Sequence, residues 1–153
     1  MSDYLRTTRE STVEARHPVL AAGIRAHIEK YELGYVAASA LACCETTATR
    51  QKKGLFGRKT EVVLTAVLVT PTWLIWAAGK ENEPPGVLSA RLCDIQVQDY
   101  EKTPFYQRIP DSGLNITGLY TGAASPGSSF IGLGQEAAAQ KFRTILKEAV
   151  ANA

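Results

Sequence analysis

The sequence predicts a mainly β fold with helices: an antiparallel, partly open, bent barrel that a C-terminal amphipathic helix caps and an extra N-terminal helix precedes. Several β-type segments occupy residues 36–133, and the stretch EAAAQKFRTILKEAV that follows them is amphipathic. No helical segment separates successive strands, and parallel strands would need such crossovers. A chain of 153 residues suits one compact unit. We divide it into an N-terminal tail and helix (1–34) and a barrel domain with its terminal helix (35–153).

The N-terminal part predicts one helix. Residues 1–12 are polar, and we expect them to be frayed. Pro18 suits the first turn of a helix, where its missing N–H costs nothing. The apolar positions that follow recur at spacings of four, four and three: Leu20, Ile24, Ile28 and Tyr31. This stripe predicts a helix at about 18–32, with Gly34 as its stop.

The next part predicts two hairpins. Residues 35–51 leave two readings open, because the Ala-rich start could continue a helix whereas CETTATRQ has the β-branched content of a strand. KKGLFGRK then leads into TEVVLTAVLVT, which indicates a hairpin. Pro71 interrupts the run, TWLIWAA resumes it, and the loop KENEPPG indicates a second hairpin. Trp73 and Trp76, three positions apart, should lie on opposite faces of a regular strand.

The third part predicts a meander that ends in a helix. Partial alternation predicts a strand with one solvent-exposed face in VLSARLCDIQVQDYE. The prolines and glycine of KTPFYQRIPDSG predict a loop, and two short strands follow it, GLNITGLY and SSFIGLG. In the last segment four apolar residues share one face: Phe142, Ile145, Leu146 and Ala149. We expect this face to be buried over an open end of the barrel, and Lys141, Arg143, Lys147 and Glu148 to point elsewhere.

Three of these stretches resemble bacterial pleckstrin-homology-like (PH-like) domains: LVTPTWLIWAAG, LSARLCDIQVQ and FIGLGQEAAAQKFRTIL. The resemblance covers residues 36–150 and implies a bent, partly open barrel plugged by a C-terminal helix. It also implies that the first hairpin is a candidate lipid-binding site, because eukaryotic relatives often bind phosphoinositides there. Those relatives use a Lys and, on the next strand, the pattern of a basic residue, any residue and Arg. Here Thr60 follows Lys59 in place of the final Arg, so specific headgroup recognition is not expected.

The first hairpin carries the strongest local signal. Five basic residues fall within ten positions that contain no acid, and two apolar residues occupy the tip: Arg50, Lys52, Lys53, Arg58 and Lys59, with Leu55 and Phe56. Such a cluster predicts weak, salt-sensitive attachment to an anionic bilayer, with the tip inserted. The alternative is a solvated hairpin whose apolar tip packs on neighbouring structure or on a second subunit.

The cysteines and the N-terminus bear on location. Cys43, Cys44 and Cys93 are an odd set, which we interpret as small buried residues of a reduced cytoplasmic protein. The polar start MSDYLRTTREST does not resemble a secretory leader, and no apolar run reaches the length of a membrane span. We therefore expect a cytoplasmic protein, at most peripheral to the inner face of the membrane. A net charge of +2 does not indicate nucleic acid as a partner.

Catalytic, metal and cofactor motifs are not evident. His17 and His27 lack the spacing of a metal motif, and GLGQEA at 132–137 lacks the following strand and acid of a dinucleotide fingerprint. Asp94 and Asp99 should lie on opposite faces of a strand as solvated charges. We therefore expect no cofactor, no metal ion and no catalytic residue.

The leading functional hypothesis is a noncatalytic PH-like binding or assembly module that engages a protein partner or itself. Open sheet edges and the apolar face of the N-terminal helix are its expected contacts, because both need covering. The first alternative is a peripheral adaptor for anionic membrane lipids through residues 50–59. The second is a small-molecule enzyme or carrier with a pocket between barrel and helix.

Overall fold

The computed structural model describes residues 4–12, 17–54 and 57–153, and for Lys52, Lys53 and Arg58 it describes the backbone. The predicted apolar tip, Leu55 and Phe56, lies outside these residues. Eight strands and two helices follow in chain order: β1 (Leu5–Glu10), α1 (Pro18–Lys30), β2 (Ala42–Gly54), β3 (Gly57–Val69), β4 (Trp73–Lys80), β5 (Gly86–Arg91), β6 (Ile95–Asp99), β7 (Gly113–Gly118), β8 (Gly127–Gly132) and α2 (Ala137–Ala151).

The strands form two antiparallel sheets. The first has the order β1-β2-β3-β4-β5 and the second the order β6-β7-β8, so every pairing in both sheets joins consecutive strands. Together the sheets make a partly open barrel, and α2 packs against β1, β2 and β6 at its mouth. The predicted fold class is confirmed, and the layout is consistent with a PH-like barrel to which β1 and α1 have been added.

The first sheet carries a hydrophobic core on each face. Inward side chains such as Leu74 and Trp76 pack against the second sheet and α2. Outward side chains such as Leu68 and Ile75 pack under α1. Strands that are covered on both faces need consecutive apolar residues, which accounts for the unbroken runs TAVLV and LIWAA in β3 and β4. The tryptophans lie on opposite faces, as predicted.

β1 corrects the expectation that residues 1–12 are frayed. Its register with β2 runs from the pair Leu5 and Thr49 to the pair Glu10 and Cys44. Thr8 is its one buried residue, and its hydroxyl lies 2.7 Å from the Thr46 hydroxyl. The segment was misjudged because polar side chains and backbone pairing, rather than an apolar face, hold it in place.

The sheet edges are covered where they meet other segments. On β1 the Thr8 N–H donates to Glu136 Oε2 at 2.6 Å, and the Thr8 hydroxyl accepts from the Gly134 N–H at 2.8 Å. On β5 the Ser89 carbonyl accepts from the Thr121 N–H at 2.9 Å. At these points the edges expected to meet a partner are satisfied within the chain.

The single strand predicted over residues 87–101 is two strands in different sheets. A 3₁₀ turn at Leu92–Asp94 separates β5 from β6 and carries the chain around the barrel corner. The region left open between helix and strand contains a 3₁₀ turn at Ala37–Ser39, after which β2 begins. The alternation of apolar and polar residues does not reveal this corner. Leu92 is apolar and buried at the turn, as it would be in a continuous strand.

α1 occupies the predicted range, and its apolar face is covered. Leu20 and Ile24 are buried beneath it against the first sheet, which corrects the expectation that this face meets a partner. α2 buries Phe142 and Leu146 as predicted. No helix among the described residues is long and apolar enough to cross a membrane.

Candidate functional site

The first hairpin extends beyond the rest of its sheet. β1 pairs with β2 only as far as Thr49, and β4 pairs with β3 only as far as Val63. Among the described strands, residues 50–54 and 57–61 pair with each other alone. We call residues 50–54 and 57–61 the basic ribbon. Five residues of a strand reach roughly 17 Å, so the ribbon projects from the barrel.

Glu61 reduces the positive charge of the basic ribbon. Arg50 Nη2 lies 2.7 Å from Glu61 Oε2 across the strand pair, and Lys80 Nζ lies 3.7 Å from Glu61 Oε1. The ribbon therefore has a net charge of +4, against −2 for the rest of the chain. Of the predicted basic residues, Lys59 has an exposed position, and the side chains of Lys52, Lys53 and Arg58 lie outside the description.

A groove of about 330 Å³ separates the base of the ribbon from the turn between β4 and β5. Its charged lining residues are two bases and three acids: Lys59, Lys80, Glu61, Glu81 and Glu83. A phosphate in this groove would meet more negative than positive charge. The groove therefore does not gather cations around a lipid headgroup.

A row of stacked rings and guanidinium groups begins at the base of the ribbon. The Arg50 guanidinium lies 5.0 Å from the centre of the Tyr4 ring, and the Arg6 guanidinium lies 4.9 Å from the same ring. Arg6 also lies 5.2 Å from the centre of the Phe130 ring. Each contact is within cation–π distance. The Arg6 guanidinium therefore contacts two aromatic rings.

The row continues along the second sheet. The rings of Phe130 and Tyr100 meet edge to face at 4.9 Å, and those of Tyr100 and Tyr106 at 6.5 Å. We call the six residues together the aromatic–arginine row: Arg50, Tyr4, Arg6, Phe130, Tyr100 and Tyr106. It connects four regions that are far apart in sequence and lie side by side in the fold.

An ion pair and a glycine fix the middle of the row. Arg6 Nε and Nη2 donate to the two carboxylate oxygens of Asp111 at 2.8 and 2.9 Å, a two-pronged contact that sets the plane of the guanidinium. Gly113 has φ +156°, and a side chain there would lie within 2.9 Å of the Phe130 ring. The position of Phe130 therefore depends on glycine at residue 113.

An apolar knob lies at the end of the row. It consists of Phe105, Tyr106 and Ile109, which are 61%, 37% and 68% exposed. A 3₁₀ turn at Pro104–Gln107 presents it. The Tyr100 hydroxyl donates to the Ile109 carbonyl at 2.7 Å, which ties the knob to the row. Large apolar side chains exposed together mark an interaction surface more often than single ones do.

The row and the knob lie outside the site that the sequence predicts. The prolines and glycine of residues 102–113 predict a loop, and that prediction takes no account of the aromatic residues in it. The available signal was the density of aromatic side chains, three within seven residues: Tyr100, Phe105 and Tyr106. Tyr4, Arg6 and Phe130 gave no local signal, because their contacts join distant parts of the chain.

A polar cluster fastens α2 to the second sheet. Arg143, predicted to point away from the core, is buried, and its Nη1 lies 2.9 Å from both Asp99 Oδ1 and Glu101 Oε2. Lys147 Nζ donates to Asp99 Oδ2 at 2.8 Å. Burial alone would raise the pKa of Asp99, but the hydrogen bonds from Lys147 and Arg143 outweigh it and lower that pKa. Asp99 is therefore an ion-paired residue rather than the solvated charge expected.

The histidines and cysteines have separate settings. His27 Nε2 lies 2.7 Å from the Ser89 hydroxyl, and burial followed by the charge of Lys30 lowers the His27 pKa. Cys44 is buried, and burial raises its pKa to about 12. Cys93 is exposed, contrary to the prediction that all three cysteines are buried. In the described part of the chain, no three His, Cys, Asp or Glu residues are grouped to hold a metal ion.

An open groove of about 360 Å³ runs between α2 and the start of β2. Its floor is apolar, with Phe142 and Ile145 among the lining residues. Its charged side chains pair with carboxylates: Lys141 with Glu10 at 2.7 Å and Arg9 with Glu45 at 3.5 Å. These charges do not converge on a point inside the groove.

Comparison with known proteins identifies no relative. No protein-family model, no curated protein and no solved structure matches this chain.

Proposed function

We propose that this protein is a noncatalytic binding module with a PH-like barrel, and that it docks a protein partner through the aromatic–arginine row and the apolar knob. The exposed knob is the observation that carries the proposal. Phe105 and Ile109 are each more than 60% exposed, and the Ile109 N–H donates to the Phe105 carbonyl at 2.9 Å. Burying two such side chains in a partner would contribute about 3–6 kcal/mol before the cost of association.

The composition of the surface favours a protein partner. Tyr, Phe and Arg are enriched where protein interfaces concentrate their binding energy. Arg6 and Tyr100 are already held in place by Asp111 and by the Ile109 carbonyl, so little side-chain freedom remains to be lost on binding. A preorganised surface of this kind suits a specific contact.

Site-specific photo-crosslinking in the native cells tests the proposal. A photoreactive residue is placed at Gln107, within the turn that presents the knob, and in a matched strain at Tyr35, which is 94% exposed and outside the surface. We expect a discrete protein adduct from position 107 that disappears when Phe105 and Ile109 are both replaced by Ser. No adduct, or an adduct unaffected by the serine replacements, contradicts the proposal.

A second candidate function is peripheral attachment to anionic membranes through the basic ribbon. The projection of the ribbon from the barrel favours it, because its bases can approach a bilayer without hindrance from the body. Arg50 is paired with Glu61, and the sequence of the ribbon carries four further bases: Lys52, Lys53, Arg58 and Lys59. At about 1 kcal/mol each they support a dissociation constant on the order of 1 mM, without counting insertion of the tip.

Vesicle flotation decides between the two candidates. Attachment through the ribbon predicts binding to phosphatidylserine vesicles at low salt, lost when Lys52, Lys53, Arg58 and Lys59 are replaced by Ala and retained when Phe105 and Ile109 are replaced by Ser. Absence of binding by the unmodified protein at low salt excludes it. Binding that requires the knob instead of the ribbon also contradicts it.

A further inference from the structure

We infer that the partner segment is an acidic, extended polypeptide, lying along the aromatic–arginine row with apolar side chains against the knob and carboxylates toward the basic ribbon. This inference rests on the proposed function, because it names the chemistry of the partner for the same surface. The distribution of charge on the described surface carries it.

The acids on this surface are already engaged. Asp111 holds Arg6 through two hydrogen bonds, and Glu61 pairs with Arg50. Exposed bases lie beyond these pairs: Lys59 on the ribbon, where Glu81 and Glu83 line the same groove, and Arg108 between Tyr106 and Ile109 of the knob. With +4 on the ribbon and +1 on Arg108, positive charge stands at both ends of the row. Complementarity therefore requires negative charge on the partner.

The shape of the surface favours an extended segment. The row consists of five contacts of 4.9–6.5 Å between successive groups, which limits the distance between its ends to roughly 27 Å. An extended chain of about eight residues covers that distance at roughly 3.3 Å per residue. Such a segment places alternate side chains on the row and the others toward solvent.

The same surface distinguishes a protein segment from a nucleic acid. Single-stranded nucleic acids stack on flat aromatic rings and track free cations. Here the Arg6 guanidinium lies over the Tyr4 ring and over the Phe130 ring, and carboxylates neutralise Arg6 and Arg50. The most exposed residue of the knob is the aliphatic Ile109, which has no stacking face. These features favour apolar and acidic side chains over bases and phosphates.

Fluorescence anisotropy with the full chain tests the inference. The probe is a labelled peptide, Glu-Asp-Glu-Tyr-Ser-Phe-Glu-Asp-Glu, compared with the same peptide carrying Lys at every acidic position and with a twelve-nucleotide oligo-dT. We expect saturable binding of the acidic peptide at 50 mM salt, at least tenfold weaker at 300 mM. Lys59→Glu, Arg108→Glu and the double change Phe105→Ser with Ile109→Ser should each weaken it at least fivefold. Arg25→Glu and Tyr35→Ser, exposed changes elsewhere, should leave it unchanged.

Several outcomes overturn the inference. These are no binding of the acidic peptide up to 1 mM, equal binding of the Lys peptide, binding that survives the knob changes, or tighter binding of oligo-dT. Unfolding curves for each variant establish that a loss of binding is not a loss of fold. If the peptide fails while the crosslink from position 107 still depends on the knob, the docking function stands and the acidic partner is excluded. If both fail, the docking function itself is wrong.

Discussion

At the scale of single residues, the removal of the buried Arg143 guanidinium is predicted to destabilise the fold. The guanidinium pairs with Asp99 and Glu101, so Arg143→Met removes the cation that Glu101 faces and leaves Asp99 with Lys147 and Lys102. Breaking a fully buried pair costs about 3–5 kcal/mol, and we expect about 2–3 kcal/mol here because both acids keep some contact with water. Urea unfolding measures the loss.

Lys147→Met is the matched control for this prediction. Lys147 bonds the same Asp99 but is 43% exposed, so its removal should cost under about 1 kcal/mol. A loss for Lys147→Met as large as that for Arg143→Met would contradict the assignment of Arg143 as the principal anchor of α2.

The lowered pKa of His27 should make the free energy of unfolding depend on pH. Burial and Lys30 lower its pKa below 6.5, so the unfolded chain binds a proton more readily than the folded one. The stabilising effect of the neutral ring is therefore present above pH 6.5 and is lost as the pH falls from there through the folded pKa. Comparing urea unfolding at pH 7.5 and 5.5, we expect the wild type to lose more stability than His27→Gln. Equal losses would exclude this origin.

At the scale of elements, β1 is a polar clasp: through Thr8 it joins β2 of the first sheet to the segment that follows β8 of the second. Thr8→Val keeps the shape of the side chain but removes the hydroxyl that accepts from the Gly134 N–H and bonds Thr46. We expect a loss of about 1–3 kcal/mol, because the Gly134 N–H would be left buried and unpaired. Thr7→Val, on the exposed face of the same strand, should change stability by less than about 0.5 kcal/mol. Similar losses for both variants would contradict the clasp.

The elements that sequence predicted well are those whose signals are local. Both hairpins followed from turn residues between β-branched runs, and α2 followed from the period that places Phe142 and Leu146 on one face. β1 was missed because its anchors, Asp111 and Glu136, lie more than 100 residues away and its own side chains are polar.

The candidate site divides in the same way. The basic ribbon was visible as a run of charges, whereas its pairing with Glu61 depends on strand register. The aromatic–arginine row could not be predicted, because Tyr4, Arg6 and Phe130 come together only when the barrel closes. The prediction that Arg143 points away from the core is wrong, because the helical pattern assigns every charged residue to the exposed face. The pattern cannot distinguish an exposed arginine from one that is buried in an ion pair.

At the scale of the whole molecule, one sheet serves two cores. β3 and β4 contribute side chains both to the core under α1 and to the core under α2. Neither core can open without disturbing strands that the other needs, so we expect one cooperative unfolding transition.

Calorimetry with two core substitutions checks this expectation. Ile24→Ala removes apolar volume from the core under α1, and Leu146→Ala from the core under α2. Each should cost about 2–5 kcal/mol and lower the temperature of the same single transition, with calorimetric and van't Hoff enthalpies in agreement. A second transition that responds to Ile24→Ala alone would contradict the shared sheet.

The placement of the two tryptophans gives the molecule a pair of built-in optical probes. Trp76 is almost fully enclosed beside the Tyr120 ring, whereas Trp73 is partly open to solvent beneath Arg91. Their emission therefore arises from opposite sides of the same strand and in environments of different polarity. Replacing either one by Phe leaves a spectrum that follows events on a single side of the barrel, without any added label.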